Sequence, residues 1–289
     1  MIKFSTEQKI AIEMGRRARR RLIQECKRMA KRVTNLERTE YLDALIAGDS
    51  GVGKSFNILK TLRDMGIPFI ELTGNISLFG LMGNLMLLHA HKPKGERVVV
   101  FLDDVDFMFE PKNINMLKHM TATQMADRKF EYTVRVSPKS FTETQQAVLP
   151  QYLKENGEHG LEIPCDEFIF VFASNHILAQ EPDVAKMSES RKRKAQHELA
   201  IRGRFNPYDF KLNKEEKWGW LYDVTFNDDA LHMLDNDDDK AYLLDWMWNN
   251  WDLMKETSVR TVQKMGYEIT EDPENYKDNW EFDYLVNEI

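Results

Sequence analysis

Short apolar runs alternate with helical patterns through the middle of the chain. The apolar runs predict five strands, over residues 42–48, 67–73, 97–102, 167–173 and 208–212. Two of them, at 98–102 and 168–172, are continuously apolar, which is typical of strands covered on both faces. Because helical patterns separate the strands, we expect an α/β domain built on a mainly parallel sheet.

The first 40 residues predict a basic helix. Its apolar positions recur at helical spacing and comprise Ile10, Met14, Ala18, Leu22, Cys26 and Met29. Twelve Lys and Arg against five Glu give this segment a net charge of +7, whereas residues 228–289 carry a net charge of −12. Three roles stay open for the helix: packing on the core or a neighbouring subunit, contact with nucleic-acid phosphates, and binding at a membrane surface.

Composition narrows the class of protein. With 289 residues, 42% hydrophobic and 30% charged, the chain is long enough for one or two domains and does not fit collagen or low-complexity disorder. Two cysteines cannot form a disulfide framework, which favours a reducing compartment. We find no apolar run of ~18 residues and no signal peptide, so we expect a cytoplasmic protein without a membrane segment.

The strongest motif is a phosphate-binding loop of the form G-x-x-x-x-G-K-[ST]. It comprises Gly48, Asp49, Ser50, Gly51, Val52, Gly53, Lys54 and Ser55. A predicted strand precedes the motif and a helical pattern follows it, as the motif requires. In such a loop the backbone N–H groups face nucleotide phosphates, the lysine neutralises the β and γ phosphates, and the serine hydroxyl ligates Mg²⁺.

A second motif supplies carboxylates. The apolar run 98–102 ends in Asp103 and Asp104, at the sheet edge where α/β folds bind ligands. Asp103 would hold Mg²⁺ through its water shell, and Asp104 would polarise the attacking water. The alternative is an acidic cap after a strand.

With these two motifs the chain resembles the AAA+ ATPases over roughly residues 40–265. The resemblance implies a P-loop NTPase fold with a five-stranded parallel sheet, a small all-α lid, and ATP and Mg²⁺ as cofactors. It implies a basic helix at 1–40, a nucleotide-binding domain at 41–212, a lid at 213–270 and an acidic aromatic tail at 271–289, which either docks a partner or folds onto the lid. It further implies a homo-oligomeric ring of six subunits, and the short arrangement is similar to phage-encoded members, which act in the host cytoplasm.

The family resemblance assigns roles to four polar residues. Residues 168–175 resemble the family's fourth strand, which ends in the sensor-1 residue, here Asn175. Arg260 matches the sensor-2 position, with Ser258 as the helix cap before it. Arg204 matches the arginine finger that completes a neighbouring subunit's site, with Arg202 as a second finger. The alternatives are a turn-capping asparagine and ordinary surface or helical arginines.

Two further segments resemble substrate-contacting parts of the family. Leu78, Phe79 and Gly80 lie where polypeptide-threading members carry a pore loop; alternatively, they begin a helix and pack in the core. Residues 130–136 and 160–164 resemble the hairpin that the MoxR group and other branches insert before sensor 1. The alternative for that hairpin is a decorated surface loop.

These features leave three hypotheses for function. The first is an ATPase that remodels a protein partner, and the second is a nucleic-acid motor or loader that uses basic residues 16–32 and 191–194. The third is a non-hydrolysing ATP switch, because the family usually has Asp-Glu where this chain has Asp103 and Asp104. Of the three, we prefer the ATPase that remodels a protein partner.

The tryptophan-rich segment 243–253 predicts packing in the lid rather than base stacking, since its surroundings are acidic.

Overall fold

The computed structural model describes residues 3–74, 76–105, 110, 113–155, 159–175 and 188–286. These residues divide into two compact units. A sheet unit comprises residues 25–48 and 55–209, and a helical unit comprises residues 1–24, 49–54 and 210–289.

The sheet unit contains a five-stranded parallel sheet, flanked by helices, and a separate antiparallel pair. The strands are β1 (Ala44–Gly48), β2 (Phe69–Thr73), β3 (Val98–Asp103), β4 (Lys129–Tyr132), β5 (Leu161–Pro164), β6 (Phe168–Ser174) and β7 (Asn206–Phe210). The five-stranded sheet has the order β2-β3-β6-β1-β7. The predicted α/β class is therefore confirmed, and both continuously apolar runs are fully buried, as expected for strands covered on two faces.

The helices alternate with the strands and then continue to the end of the described chain. They are α1 (Thr6–Thr34), α2 (Lys54–Asp64), α3 (Leu78–His91), α4 (Ile114–Met120), α5 (Glu143–Val148), α6 (Glu189–Arg202), α7 (Lys214–Asn227), α8 (Asp237–Asn250), α9 (Val259–Glu271) and α10 (Tyr276–Tyr284). None of the helices in the described ranges has the length and apolar character that a membrane crossing requires.

The last strand lies two residues earlier than predicted. Residues 211 and 212 were expected in it, but β7 ends at Phe210 because Asn213 caps the next helix. The Asn213 side chain accepts a hydrogen bond from the backbone N–H of Glu216, and the backbone N–H of Asn213 donates to the Glu216 carboxylate, which is a capping box. A cap this close to the strand leaves no room for it to continue.

A buried ion pair links β1 to the segment that leads into β4. Arg128 Nη2 lies 2.8 Å from Asp43 Oδ2, and both side chains are fully buried. Asp43 Oδ1 also accepts hydrogen bonds from Arg128 Nη1 and from the backbone N–H of Phe170 on β6. Because several donors satisfy the carboxylate, the pair can join three segments of the core without an orphaned charge.

The predicted inserted strand pair is present but shorter than expected. β4 and β5 pair antiparallel from Lys129 opposite Pro164 to Tyr132 opposite Leu161. The expected strand continued to 136, yet Val134 is 59% exposed and lies beyond the pairing. An apolar alternating pattern alone does not form a strand where the partner strand has ended.

α7 to α10 pack around an aromatic core in the helical unit. Trp280 of α10 is fully buried and contacts Trp246 of α8, with ring centroids 5.2 Å apart. The acidic tail therefore folds onto the lid helices, one of the two alternatives considered for it. Trp218 is also fully buried, and its indole N–H donates to the carbonyl of Leu244, so the predicted packing of the tryptophan-rich segment is confirmed for α8.

α1 buries one face along its length. Of the apolar positions at helical spacing, Ala18, Leu22 and Cys26 are fully buried, whereas Ile10 is 56% exposed. At ~100° per residue, Ile10 lies about 160° around the helix from the fully buried Cys26. Burial raises the pKa of the Cys26 thiol to about 12, so this cysteine is an inert packing residue.

Candidate functional site

The phosphate loop joins β1 to α2 and curls through two glycines. Gly51 and Gly53 have φ values of 71° and 73°, a region that side-chain-bearing residues rarely adopt. Lys54 Nζ donates to the carbonyl oxygen of Asp49 over 2.7 Å, which bridges the two ends of the loop. The backbone thus has the curled form that the motif predicts for holding phosphate oxygens with N–H groups.

Within the sheet unit, the end of the loop meets the end of β3. Ser55 Oγ donates to Asp103 Oδ1 over 2.7 Å. Two residues selected from separate motifs, each for holding the same metal ion, therefore lie within hydrogen-bond distance. A hydroxyl and a carboxylate are oxygen ligands of the kind that Mg²⁺ prefers, so this pair fits the ion that the motif implies.

Asp104 has a left-handed backbone conformation beside this pair. Its φ is 53°, unusual for a residue other than glycine, and its N–H donates to the carbonyl of Ala173 on β6 over 3.0 Å. Asn175 Nδ2 donates to Asp104 Oδ1 over 3.0 Å. Both side chains are exposed, so this carboxylate–amide pair is accessible to a water molecule or a phosphate.

Sheet topology explains why these groups meet. β6 lies between β1 and β3, and the register sets Asp103 directly beside Ala173. After β1 the chain crosses to β2, at one edge of the sheet. After β6 it crosses to β7, at the other edge. The two connections therefore run in opposite directions from the neighbouring strands β1 and β6. This is a topological switch point, where open α/β sheets bind ligands outside the carboxyl ends of their strands.

In the helical unit, the phosphate loop touches the start of α9. A Cβ built on Gly51 would lie 2.6 Å from the Cβ of Ser258. Ser258 caps α9 as predicted, since its hydroxyl accepts the backbone N–H of Thr261. Arg260 is exposed in the first turn of this helix, so the proposed sensor-2 residue follows a cap that packs on the loop.

The two arginine-finger candidates differ in their contacts. Arg202 forms a two-pronged ion pair with Asp209, at 3.1 and 2.8 Å, and both side chains are largely buried. Arg204 Nη1 donates to the carbonyl oxygen of Ala200 in the last turn of α6, a common position for a cation near a helix C-terminus. In these contacts Arg204 is bonded to a backbone carbonyl and not to a carboxylate. Arg202, in contrast, would have to break its ion pair with Asp209 to reach a phosphate.

The expected pore-loop residues form the first turn of α3. Ser77 caps this helix by accepting the N–H of Gly80 over 3.0 Å. Phe79 is half-buried and contacts Tyr132 and Phe141 edge-on, at 5.8 and 5.7 Å between ring centroids. The structure thus has the arrangement of the alternative interpretation, in which Leu78 and Phe79 begin a helix and pack.

The remaining basic segment lies on α6. Lys192 pairs with Glu189 one turn earlier over 2.9 Å, and the side chains at 193 and 194 lie outside the described residues.

Among the residues the structure describes, no group of three or more His, Cys, Asp or Glu side chains could enclose a metal ion. A metal at Ser55 and Asp103 would therefore rely on phosphate oxygens and water for its other ligands.

Sequence reasoning missed two contacts that the fold creates. Asp209, the partner of Arg202, carries no motif of its own, and only the return of β7 beside the end of α6 could reveal it. The packing of Ser258 on Gly51 was likewise not foreseen, although Ser258 was identified as a cap.

The chain matches no protein-family model and no curated protein.

Proposed function

We propose that this chain binds ATP with Mg²⁺ and hydrolyses the bond between its β and γ phosphates. The observation that carries the proposal is the 2.7 Å hydrogen bond between Ser55 Oγ and Asp103 Oδ1. These residues come from two motifs that are separately associated with nucleotide phosphates, and the fold brings their oxygen atoms together at a switch point.

Each side chain has a distinct task in this proposal. Lys54 neutralises phosphate charge, and Ser55 with Asp103 holds the metal, which would supply charge neutralisation between the β and γ phosphates when bound. Asp104 accepts a hydrogen bond from, and so orients, a water molecule for attack, while Asn175 fixes the carboxylate through the 3.0 Å hydrogen bond. The side chain of Asp104 is one methylene shorter than the glutamate that AAA+ proteins usually have at this position. We therefore expect slow hydrolysis.

The proposal includes assembly, because the described site contains no arginine positioned for the transition state. Arg204 is the better finger candidate, since Arg202 is held by Asp209. A guanidinium from a neighbouring subunit would stabilise the charge that spreads over the transferred phosphoryl group. We therefore propose a homo-oligomeric ring, in keeping with the resemblance to AAA+ ATPases.

The expected preference for a protein substrate loses its main support. Besides the arginine-finger candidates and the acidic C-terminal half, that preference depended on Leu78, Phe79 and Gly80 forming a gripping loop, and these residues form the first turn of a packed helix. The proposed function is therefore the ATPase activity itself.

The test is ATP binding and phosphate release by the full chain. Calorimetry should register saturable heat with ATP and Mg²⁺, and Lys54→Ala should abolish it. Asp103→Asn should weaken binding only when Mg²⁺ is present, since it alters the metal-holding pair. Lys60→Ala is the matched control, because Lys60 lies on the same helix in an exposed pair with Asp64. A folded wild-type protein that takes up no ATP would refute the proposal.

A further inference from the structure

α1 carries an exposed stripe of basic side chains, here called the basic stripe. It consists of Arg17, Arg20, Arg21, Lys27, Arg28 and Lys31, all of them exposed. The six lie on one continuous helix, so helical geometry alone places them within an arc of about 120° and over a length of about 21 Å. No acidic residue falls within that arc between positions 17 and 31.

Most of the stripe has no partner among the residues that the structure describes. Arg21 pairs with Glu216, and Arg28 pairs with Glu25 one turn earlier. Four other basic side chains of the stripe make no hydrogen bond or ion pair within the part of the chain that the structure describes: Arg17, Arg20, Lys27 and Lys31. Two acidic residues of the helical unit, Asp223 and Asp228, are paired with other arginines, Arg16 and Arg19.

The rest of α1 excludes two kinds of partner. Ala18 and Leu22, on the opposite face, are fully buried, so between positions 17 and 31 the helix has no free apolar face to insert into a lipid interface. The stripe itself includes Gln24 but no apolar or aromatic side chain, whereas the centre of a protein–protein interface is depleted in charge and enriched in aromatic residues. What remains is a partner recognised by charge alone.

We propose that the basic stripe binds the phosphate backbone of nucleic acid without reading its sequence. Arg and Lys contact phosphate oxygens by charge and hydrogen bonding, and four side chains spaced by one or two helical turns can follow a phosphate backbone. The chain as a whole has a net charge of −7, so the attraction is confined to this surface rather than arising from overall charge. The inference does not rest on the ATPase proposal.

The experiment measures binding of fluorescein-labelled 20-nucleotide DNA, single-stranded and duplex, by anisotropy from 50 to 200 mM salt. Wild-type protein should bind both forms of mixed sequence, with affinity falling steeply as salt rises. A quadruple variant, Arg17→Gln, Arg20→Gln, Lys27→Gln and Lys31→Gln, should bind at least tenfold more weakly at 50 mM salt. Its salt slope should fall by about one for each contact removed.

Two further variants separate charge from folding. Lys94→Gln, Arg135→Gln, Lys139→Gln and Lys211→Gln removes the same charge from exposed positions off α1 and should bind as wild type. Arg17→Lys with Arg20→Lys keeps the charge and should retain most of the affinity. Lys54→Ala should also bind DNA normally, so that failure of the ATPase proposal and failure of this one are distinguishable.

Three results would overturn the inference. One is no salt-dependent DNA binding by wild type at 50 mM salt. Another is equal loss of affinity in the stripe variant and the off-helix control. The third is stripe-dependent binding to phosphatidylserine vesicles without binding to DNA, which would assign the stripe to a lipid surface.

Discussion

Gly51 of the phosphate loop packs directly on Ser258, the residue that caps α9. A side chain on Gly51 would place its Cβ 2.6 Å from the Cβ of Ser258, closer than two carbon atoms can approach without displacement. The loop and the lid helix that carries Arg260 therefore share one contact inside the helical unit. A nucleotide bound in the loop, as proposed, would therefore be coupled to the position of that helix through this contact.

Gly51→Ala should reduce both stability and ATP affinity. The alanine would adopt a φ of 71° at a cost of roughly 1–2 kcal/mol, and its methyl group would push Ser258 away. We expect at least a tenfold loss of ATP affinity, about 1.4 kcal/mol, by calorimetry. Gly66→Ala is the control, because Gly66 has a φ of 62° but no atom within 4 Å of its added Cβ. Equal effects of the two variants would contradict the proposed contact.

Asp104→Asn and Asn175→Ala should separate binding from hydrolysis. Asn cannot act as the water-polarising base, and loss of Asn175 releases the carboxylate that it holds at 3.0 Å. Phosphate release should fall about 10²- to 10⁴-fold in Asp104→Asn, with ATP affinity close to wild type. Asp127→Asn changes an exposed carboxylate elsewhere and should have no effect. Unchanged turnover in Asp104→Asn would remove this residue from the mechanism.

Mixing two inactive variants tests whether Arg204 acts across a subunit interface. Lys54→Ala has no working site but keeps the arginine, and Arg204→Ala has an intact site but no arginine. An equal mixture should recover ~25% of wild-type phosphate release, because random assembly pairs an intact site with an intact arginine at about one interface in four. No recovery in mixed oligomers, confirmed by mass, would indicate that Arg204 acts within its own subunit or serves only α6.

Gly219→Ala should destabilise the helical unit through α1 and α7. A Cβ on Gly219 would lie 1.8 Å from the carbonyl oxygen of Ala11, so the two helix backbones would have to separate. We expect a loss of about 3 kcal/mol or more in the free energy of unfolding, measured in urea. Gly203→Ala is the comparison, since its nearest atom would be 3.5 Å away. A shift below 1 kcal/mol in Gly219→Ala would mean that the helices are not in backbone contact.

Asp43→Asn should destabilise the sheet unit by leaving a charge without its partner. The guanidinium of Arg128 is fully buried against Asp43, and an amide cannot neutralise it. Loss of one partner of a buried pair costs about 3–5 kcal/mol, visible as a lower urea midpoint. Glu131→Gln weakens a partly exposed network with Lys154, far less buried than the Asp43 pair, and should cost about 1 kcal/mol or less. Similar losses in both variants would contradict the role of burial.

The local sequence pattern was sufficient to predict an element wherever the residues of one segment alone determine its structure. The continuous apolar runs of β3 and β6 indicated buried strands, and Ser258 was identified as a cap from the polar residue before a helical pattern. It was insufficient where two interpretations share a pattern. Leu78 and Phe79 fit a loop or a helix start equally well, and the packing of Phe79 on Phe141 decides between them.

The sequence by itself determined the α/β class, the phosphate loop and the carboxylates after β3, because each depends on residues that are neighbours along the chain. Tertiary structure alone decided that Ser55 meets Asp103, that Asp209 occupies Arg202, and that Ser258 rests on Gly51. These contacts follow from strand order and helix packing, which bring distant segments together. The sequence gives the chemistry of each side chain, whereas the contacts of that side chain depend on which helices and strands become neighbours in the fold.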